Sequence, residues 1–188
     1  LSQKYPFVFQ DRYFPTIPAS YVVCDNSGGA KQATRALIKC CREEIAIFYF
    51  PLFNNAISDR YNGFCTEFTD AGYTLESKNQ CLIDDSDLFY SDNGVRFNLI
   101  FETILAHLKR YPSIRGFFAT NAEIAQVLNI VLHHCDLWHK IANDEYKVVS
   151  FDNPFLQGFD YIKQDTSRMA AEAVRLLYKQ IDGDFSPQ

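Results

Sequence analysis

Lys147-Val148-Val149-Ser150-Phe151 runs without interruption into Asp152-Asn153-Pro154. A β-branched, largely apolar run of this kind has no polar face to turn to water, so it fits a strand buried on both sides, as in a parallel sheet covered by helices. Asp-Asn-Pro then ends it, because the residue before a proline is held in an extended or turn conformation. The carboxyl end of the strand therefore delivers a carboxylate, and open α/β sheets bind ligands at that end.

Similar runs recur along the chain. Tyr21-Val22-Val23-Cys24, Ile45 to Phe50, Gln80 to Ile83 and Gly116 to Ala119 read as strands, with shorter ones at Pro6 to Gln10 and Tyr161 to Gln164. Between them the apolar residues fall at helical spacing: Ala30, Ala33, Leu37 and Cys41; Ile57, Tyr61, Phe64, Cys65 and Phe68; Phe97, Phe101, Ile104, Leu105 and Leu108; Ile124, Val127, Leu128, Val131, Leu132 and Cys135. A last helix is expected after Asp165-Thr166-Ser167, with Ala170, Ala173, Val174, Leu177 and Ile181 facing inward and Gly183 closing it. Strands alternating with helices at crossover length predict an α/β fold with a parallel sheet and flanking helices. Arg60 is expected in the first turn of its helix, above the carboxyl end of the preceding strand.

At 188 residues with 47% hydrophobic content the chain can bury a large core. Its net charge of -5, without a run of Lys or Arg, disfavours direct contact with nucleic acid. None of the six cysteines forms a C-x-x-C pair, which fits reduced thiols in a cytoplasmic protein. No membrane-length apolar run is present. Gly28-Gly29 lacks the Lys-Ser/Thr of a P-loop, so turn and packing use is expected there. His133, His134, Cys135 and His139 invite a metal reading, but adjacent histidines diverge on a helix, and helix-end and core roles are expected instead. The acidic segment Asp84, Asp85, Asp87 lacks the glycine turn and closing glutamate of a calcium loop and reads as a solvated loop. No metal and no cofactor is therefore expected.

Six segments together resemble the effector-binding domain of the LacI/GalR family of sugar-responsive transcription regulators, which is related to periplasmic sugar-binding proteins. They are, in order, Phe9 to Arg12, Val23 to Asn26 with Gly29-Ala30, Ser58-x-Arg60-x-x-Gly63-Phe64, Gly116 to Asn121, Val148 to Asn153, and Ile162 to Asp165. The chain departs from that pattern at Cys41-Arg42, Thr120-Asn121, Ser150 and Phe155 to Tyr161. The resemblance implies a periplasmic-binding-protein-like fold of type I with the amino-terminal lobe incomplete: residues 1–24 plus 165–188 as the remnant of that lobe, and 25–164 as the carboxy-terminal lobe. It implies that Asp11, Arg60, Thr120, Asp152 and Gln164 line a ligand cleft, with an aromatic wall drawn from Phe14, Phe53 or Phe155. It also implies a small-molecule effector, a sugar; a homodimer; and DNA contact only through an amino-terminal head of LacI or GntR type outside this chain. An incomplete lobe is expected to leave apolar surface exposed.

Two other classes share some of these features. Asp11 and Asp152 are a conceivable acid and base for a sugar-processing enzyme, but no nucleophile-base set accompanies them. A periplasmic receptor of a transporter would share both fold and cleft.

Overall fold

The computed structural model describes residues 5–86 and 93–187; Asp87 lies outside the described residues. The strands are β1 (Phe9–Gln10), β2 (Tyr21–Val22), β3 (Ile45–Tyr49), β4 (Gln80–Leu82), β5 (Gly116–Ala119), β6 (Lys147–Phe151) and β7 (Asp160–Ile162). The helices are α1 (Asn26–Cys41), α2 (Asn55–Asp70), α3 (Asn93–Arg110), α4 (Ala122–His134), α5 (Trp138–Ala142) and α6 (Thr166–Ile181). Five strands pair in the order β4-β3-β5-β6-β7, all parallel, with Phe48 beside Ala119 and Ala119 beside Ser150.

Successive side chains of a strand point to opposite faces, and that divides the core in two. Ala46, Phe48, Phe117, Ala119 and Val148 meet α3, α4 and α5 on one face. Ile45, Ile47, Tyr49, Phe118, Val149 and Phe151 meet α1 and α2 on the other. Both faces being covered is why β3 and β5 are buried at every position. The helices start where side chains cap them: Asp25 accepts from the Gly28 amide, Asn54 from Ala56, Asn121 from Ile124 and Asp165 from Arg168.

Helices α1 and α2 cross very closely. A Cβ at Gly63 would stand 2.5 Å from the Ser27 carbonyl oxygen and 2.9 Å from the Ala30 Cβ, so only glycine permits this approach. The seam brings the start of α1 against the second turn of α2, where Arg60 lies. That is a correction to the sequence expectation: Asn54 caps the helix earlier than the Ser58-Asp59-Arg60 pattern suggests, so Arg60 is not in the first turn.

The last parallel pair lacks a helical crossover. Residues 152–159 return as a loop, which suffices because β7 enters beside the middle of β6, Asp160 opposite Val149. The tight return uses left-handed backbone at Asp152 (φ 74°), Phe155 (φ 57°) and Gly158 (φ 81°).

Strands β1 and β2 form a separate two-stranded parallel sheet that packs on α6. Gln180 joins them, accepting from the Phe7 amide at 2.7 Å and donating to Ser20 Oγ at 3.4 Å. The buried stripe of α6 is Met169, Leu176 and Gln180; of the expected Ala170, Ala173, Val174, Leu177 and Ile181, only Ala173 and Leu177 are partly buried. Ala170, Val174, Tyr178 and Ile181 are exposed, as are Ile17 and Tyr21 on the small sheet. The helix is apolar over more of its circumference than two short strands can cover, so the contact selects one flank and leaves the other open. In α3, Ile100 leads the buried stripe, while Phe97 is exposed and stacks on Phe101.

His107 of α3 is buried between the rings of Phe48 and Tyr111, with Nε2 2.9 Å from the Lys78 carbonyl oxygen. Burial pushes its pKa below the usual imidazole value, the Lys78 carbonyl opposing and Arg110 adding to the shift. Because the folded pKa is depressed, the unfolded chain takes up the proton first. The stability is therefore full above about pH 6.5 and declines as the pH falls below it. Urea unfolding at pH 7.5 and pH 5.5 is expected to show a larger loss for the native chain than for His107→Gln; equal losses would contradict this assignment.

Candidate functional site

The order β4-β3-β5-β6-β7 places its reversal between β3 and β5. The helix after β3 leaves toward one face and the helix after β5 toward the other, which opens a crevice at the strands' carboxyl ends. Arg60 spans that crevice. Its Nη1 donates to the Thr120 carbonyl at 2.7 Å, just past β5, and its Nε to Asn26 Oδ1 at 2.8 Å, in the first turn of α1. The guanidinium carbon stands over the Phe151 ring, 3.7 Å from its centre, at the end of β6.

The residue is only 5% exposed. Burial pulls its pKa down, opposed by Asp152 and Asp11, and the guanidinium stays charged. The Nε and Nη1 bonds hold the guanidinium in place, and its other amino group, Nη2, makes no hydrogen bond to the described residues.

Asp152 follows β6 in left-handed backbone, its amide bonded to the Ile162 carbonyl at 3.1 Å. Its Oδ2 stands 3.9 Å from Arg60 Nη1, an ion pair too long for a direct hydrogen bond. Its Oδ1 accepts from Gln164 Nε2 at 2.5 Å. Asp11 sits likewise, past the end of β1 in left-handed backbone, and is exposed. Aspartate tolerates this conformation better than most residues, so both strands can end in a carboxylate that turns out of the ladder.

Of the five residues singled out from the sequence, the structure joins Arg60, Asp152 and Gln164 directly and sets Asp11 close enough to act on Arg60 electrostatically. Thr120 differs from expectation. It is fully buried and its hydroxyl donates to the Phe48 carbonyl, so it reaches Arg60 through its own carbonyl and offers no surface to a ligand. Hydroxyl hydrogen bonding into the sheet satisfies a group that burial would otherwise penalise. Gln164 has both ends of its amide engaged, by Asp152 and by Cys24. Sequence reasoning missed Asn26 and Phe151 as partners of Arg60. The signal for both is positional: Asn26 adjoins Asp25, which caps α1, and Phe151 adjoins the strand-end Asp152.

Phe53 and Phe155 are 89% and 86% exposed on the loops that follow β3 and β6. Phe155 is held in left-handed backbone by a turn in which Asn153 Oδ1 accepts from its amide. Phe14 leans edge-on against Phe9. Asp85 pairs with Arg96, which also pairs with Glu123 and lies over Phe50; Asp84 accepts from Ser86. His133 stacks on Trp138 and His134 meets the edge of Phe101. Among the described residues no group of three or more His, Cys, Asp or Glu is arranged to hold a metal ion. No helix among them is long and apolar enough to cross a membrane.

No protein-family model matches the chain. A curated relative, the HTH-type transcriptional regulator EndR of Paenibacillus polymyxa, is 27% identical over 186 residues, 95% of this chain and 50% of its own length. Among solved structures, the transcriptional regulator CelR in complex with cellobiose superposes with a TM-score of 0.78 at 24% identity, over 95% of this chain and 53% of CelR. A regulatory protein of the LacI family from Chloroflexus aggregans gives 0.79 at 20% identity, over 98% and 65%. The Escherichia coli repressor ascG gives 0.74 at 20%, over 97% and 65%. The chain thus spans about half the length of the curated relative. These relatives bear the names of transcription regulators. The chain has the fold of the part that it matches in these regulators, parallel sheets flanked by helices.

Proposed function

We propose that this chain is the effector-binding part of a sugar-responsive transcription regulator, cytoplasmic and dimeric, that binds a small polyhydroxylated effector and acts on DNA through an amino-terminal domain outside these residues. The observation that carries this is the buried Arg60 facing Asp152 across 3.9 Å. A hydroxyl both donates and accepts, so one that bridges the pair from the side can accept from Arg60 and donate to Asp152. A carboxylate or phosphate would meet Asp152 and Asp11 with like charge, which favours a neutral ligand. Asp11, Arg60 and Asp152 make the contacts in this reading; Gln164 and Thr120 hold them in place. Phe53 and Phe155 supply an apolar ring face for the sugar's C–H surface.

The same proposal takes residues 1–24 with 165–188 and residues 25–164 as two lobes joined at Cys24-Asp25 and Gln164-Asp165. An effector that binds one lobe arrangement better than another shifts the balance between them, and only that difference can alter DNA affinity. Catalysis has no part in it.

A thermal-shift panel of neutral mono- and disaccharides, cellobiose among them, tests the reading. Saturation at about a hundred times Kd stabilises the folded state by about 2.7 kcal/mol. At least one sugar is expected to raise the midpoint of the native chain and to leave Asp152→Ala unmoved. A panel without any shift, or a shift that survives in Asp152→Ala, would overturn it.

A further inference from the structure

We infer that Cys24 is a positioning residue for the cleft: its thiol sets which way round the Gln164 amide stands, and that amide sets Asp152. The arrangement stands on its own geometry; only its consequence for ligand affinity rests on the proposed function. A glutamine side chain has two ends of nearly equal size and opposite chemistry, so its neighbours decide its orientation. Here they agree. Asp152 as a carboxylate only accepts, which requires the NH2 end, and Gln164 Nε2 lies 2.5 Å from Oδ1. The other end, Oε1, is 2.7 Å from Cys24 Sγ, which must then donate.

Burial pushes the Cys24 thiol's pKa up, with Asp11, Asp152 and Asp165 acting the same way and Arg60 against them, so the sulfur keeps its proton at neutral pH. Met169 Sδ, 3.0 Å from Sγ on another side, is the weaker acceptor, and the proton goes to the amide oxygen. Cys24 lies between β2 and α1, and Gln164 between β7 and α6. The thiol–amide bond therefore cross-links the two segments through which the chain passes between the five-stranded sheet and the β1-β2-α6 unit. Because the amide also occupies Asp152 Oδ1, it leaves Oδ2 as the oxygen directed at Arg60. Cys24 thereby governs how the cleft presents its carboxylate without touching a ligand.

The test compares the native chain with Cys24→Ser, which keeps a donor, and Cys24→Val, which fills the space without one. Cys24→Ala replaces the valine variant if that fails to fold. Without any ligand, NMR hydrogen exchange of the Gln164 side-chain amide is expected to stay within about twofold of native in the serine variant. It should quicken by about fivefold to tenfold in the valine variant, the range one lost hydrogen bond supplies. Slow exchange in the valine variant would overturn the inference, since packing alone would then hold the amide. Equally fast exchange in both variants would overturn it too.

Cellobiose and the rest of the sugar panel are then titrated into the same proteins. If the native chain binds none, the functional proposal fails while the exchange rates still decide the role of Cys24. Where a sugar binds, affinity is expected to weaken about fivefold to tenfold in the valine variant and to be kept in the serine variant; unchanged affinity in the valine variant would sever Cys24 from the cleft.

Discussion

Replacing Arg60 with methionine is expected to lower the unfolding free energy by about 3 kcal/mol and to abolish every sugar-dependent shift in midpoint. Methionine keeps most of the length and the apolar contact with Phe151, so the loss isolates the guanidinium. What remains behind is costly. Asn26 Oδ1 and the Thr120 carbonyl each lose a charge-assisted donor in a site where both residues are nearly or fully buried, and an orphaned buried acceptor costs about 1–3 kcal/mol. The stacking on Phe151 adds about 1 kcal/mol, and relief of the guanidinium's own desolvation returns part of the total. In a domain of this size the midpoint should fall by about 6 to 12 °C. Urea unfolding monitored by circular dichroism measures the first effect, and the sugar panel the second. A variant as stable as the native chain would mean that the guanidinium is not buried as described.

Phe64→Ala is expected to cost about 3–5 kcal/mol, the range for emptying a large aromatic position in a sealed core. Phe64 is fully buried, with ring centres 5.7 Å from Phe68 and 6.4 Å from Phe118, so the cavity would open between α2 and the sheet. Close packing gives the neighbours little room to collapse into it. Because Phe64 directly follows Gly63, the same change loosens the α1–α2 seam that holds Asn26 against Arg60. Sugar affinity should therefore weaken along with stability, although Phe64 lies outside the cleft. Phe64→Leu, which keeps most of the volume, should cost less than half as much. Equal costs for the two would point to something other than the cavity.

The parallel sheet was legible because its strands are apolar on both faces, and a strand such as Ile45–Tyr49 admits no other environment. Helix starts were legible because Asp25, Asn121 and Asp165 are side-chain caps, a local interaction that needs no tertiary knowledge. The inward flank of α6 was not, since Val174 and Ile181 are as apolar as Leu176 and only the position of β1 and β2 decides between them. The start of α2 lies earlier than Ser58-Asp59-Arg60 suggests because the Asn54 side chain accepts from the Ala56 amide and caps it there.

At the site, Asp11 and Asp152 are visible as strand-end carboxylates, and Arg60 as a charged residue on the helix after β3. Their partners were not. Polar side chains at a cleft look alike in sequence, so nothing there separates Thr120 and Gln164 from ligand contacts. Only coordinates distinguish a hydroxyl turned into the sheet, or an amide with both ends occupied, from one left open. Asn26 and Phe151 show the converse: an ordinary helix residue and an ordinary core aromatic become site residues because the fold brings Arg60 onto them.

In the proposed mouth Arg60 Nε stays with Asn26, while the amino end of the guanidinium, which stands 3.9 Å from Asp152 at Nη1, meets the ligand hydroxyl. Nitrogen-15 NMR of the Arg60 side chain during titration with the sugar that gives the largest thermal shift tests it most directly. At least one Nη signal is expected to move with saturation, while the Nε signal, tied to Asn26, stays within its apo range. Saturable binding that leaves all three guanidinium nitrogens unmoved would contradict it.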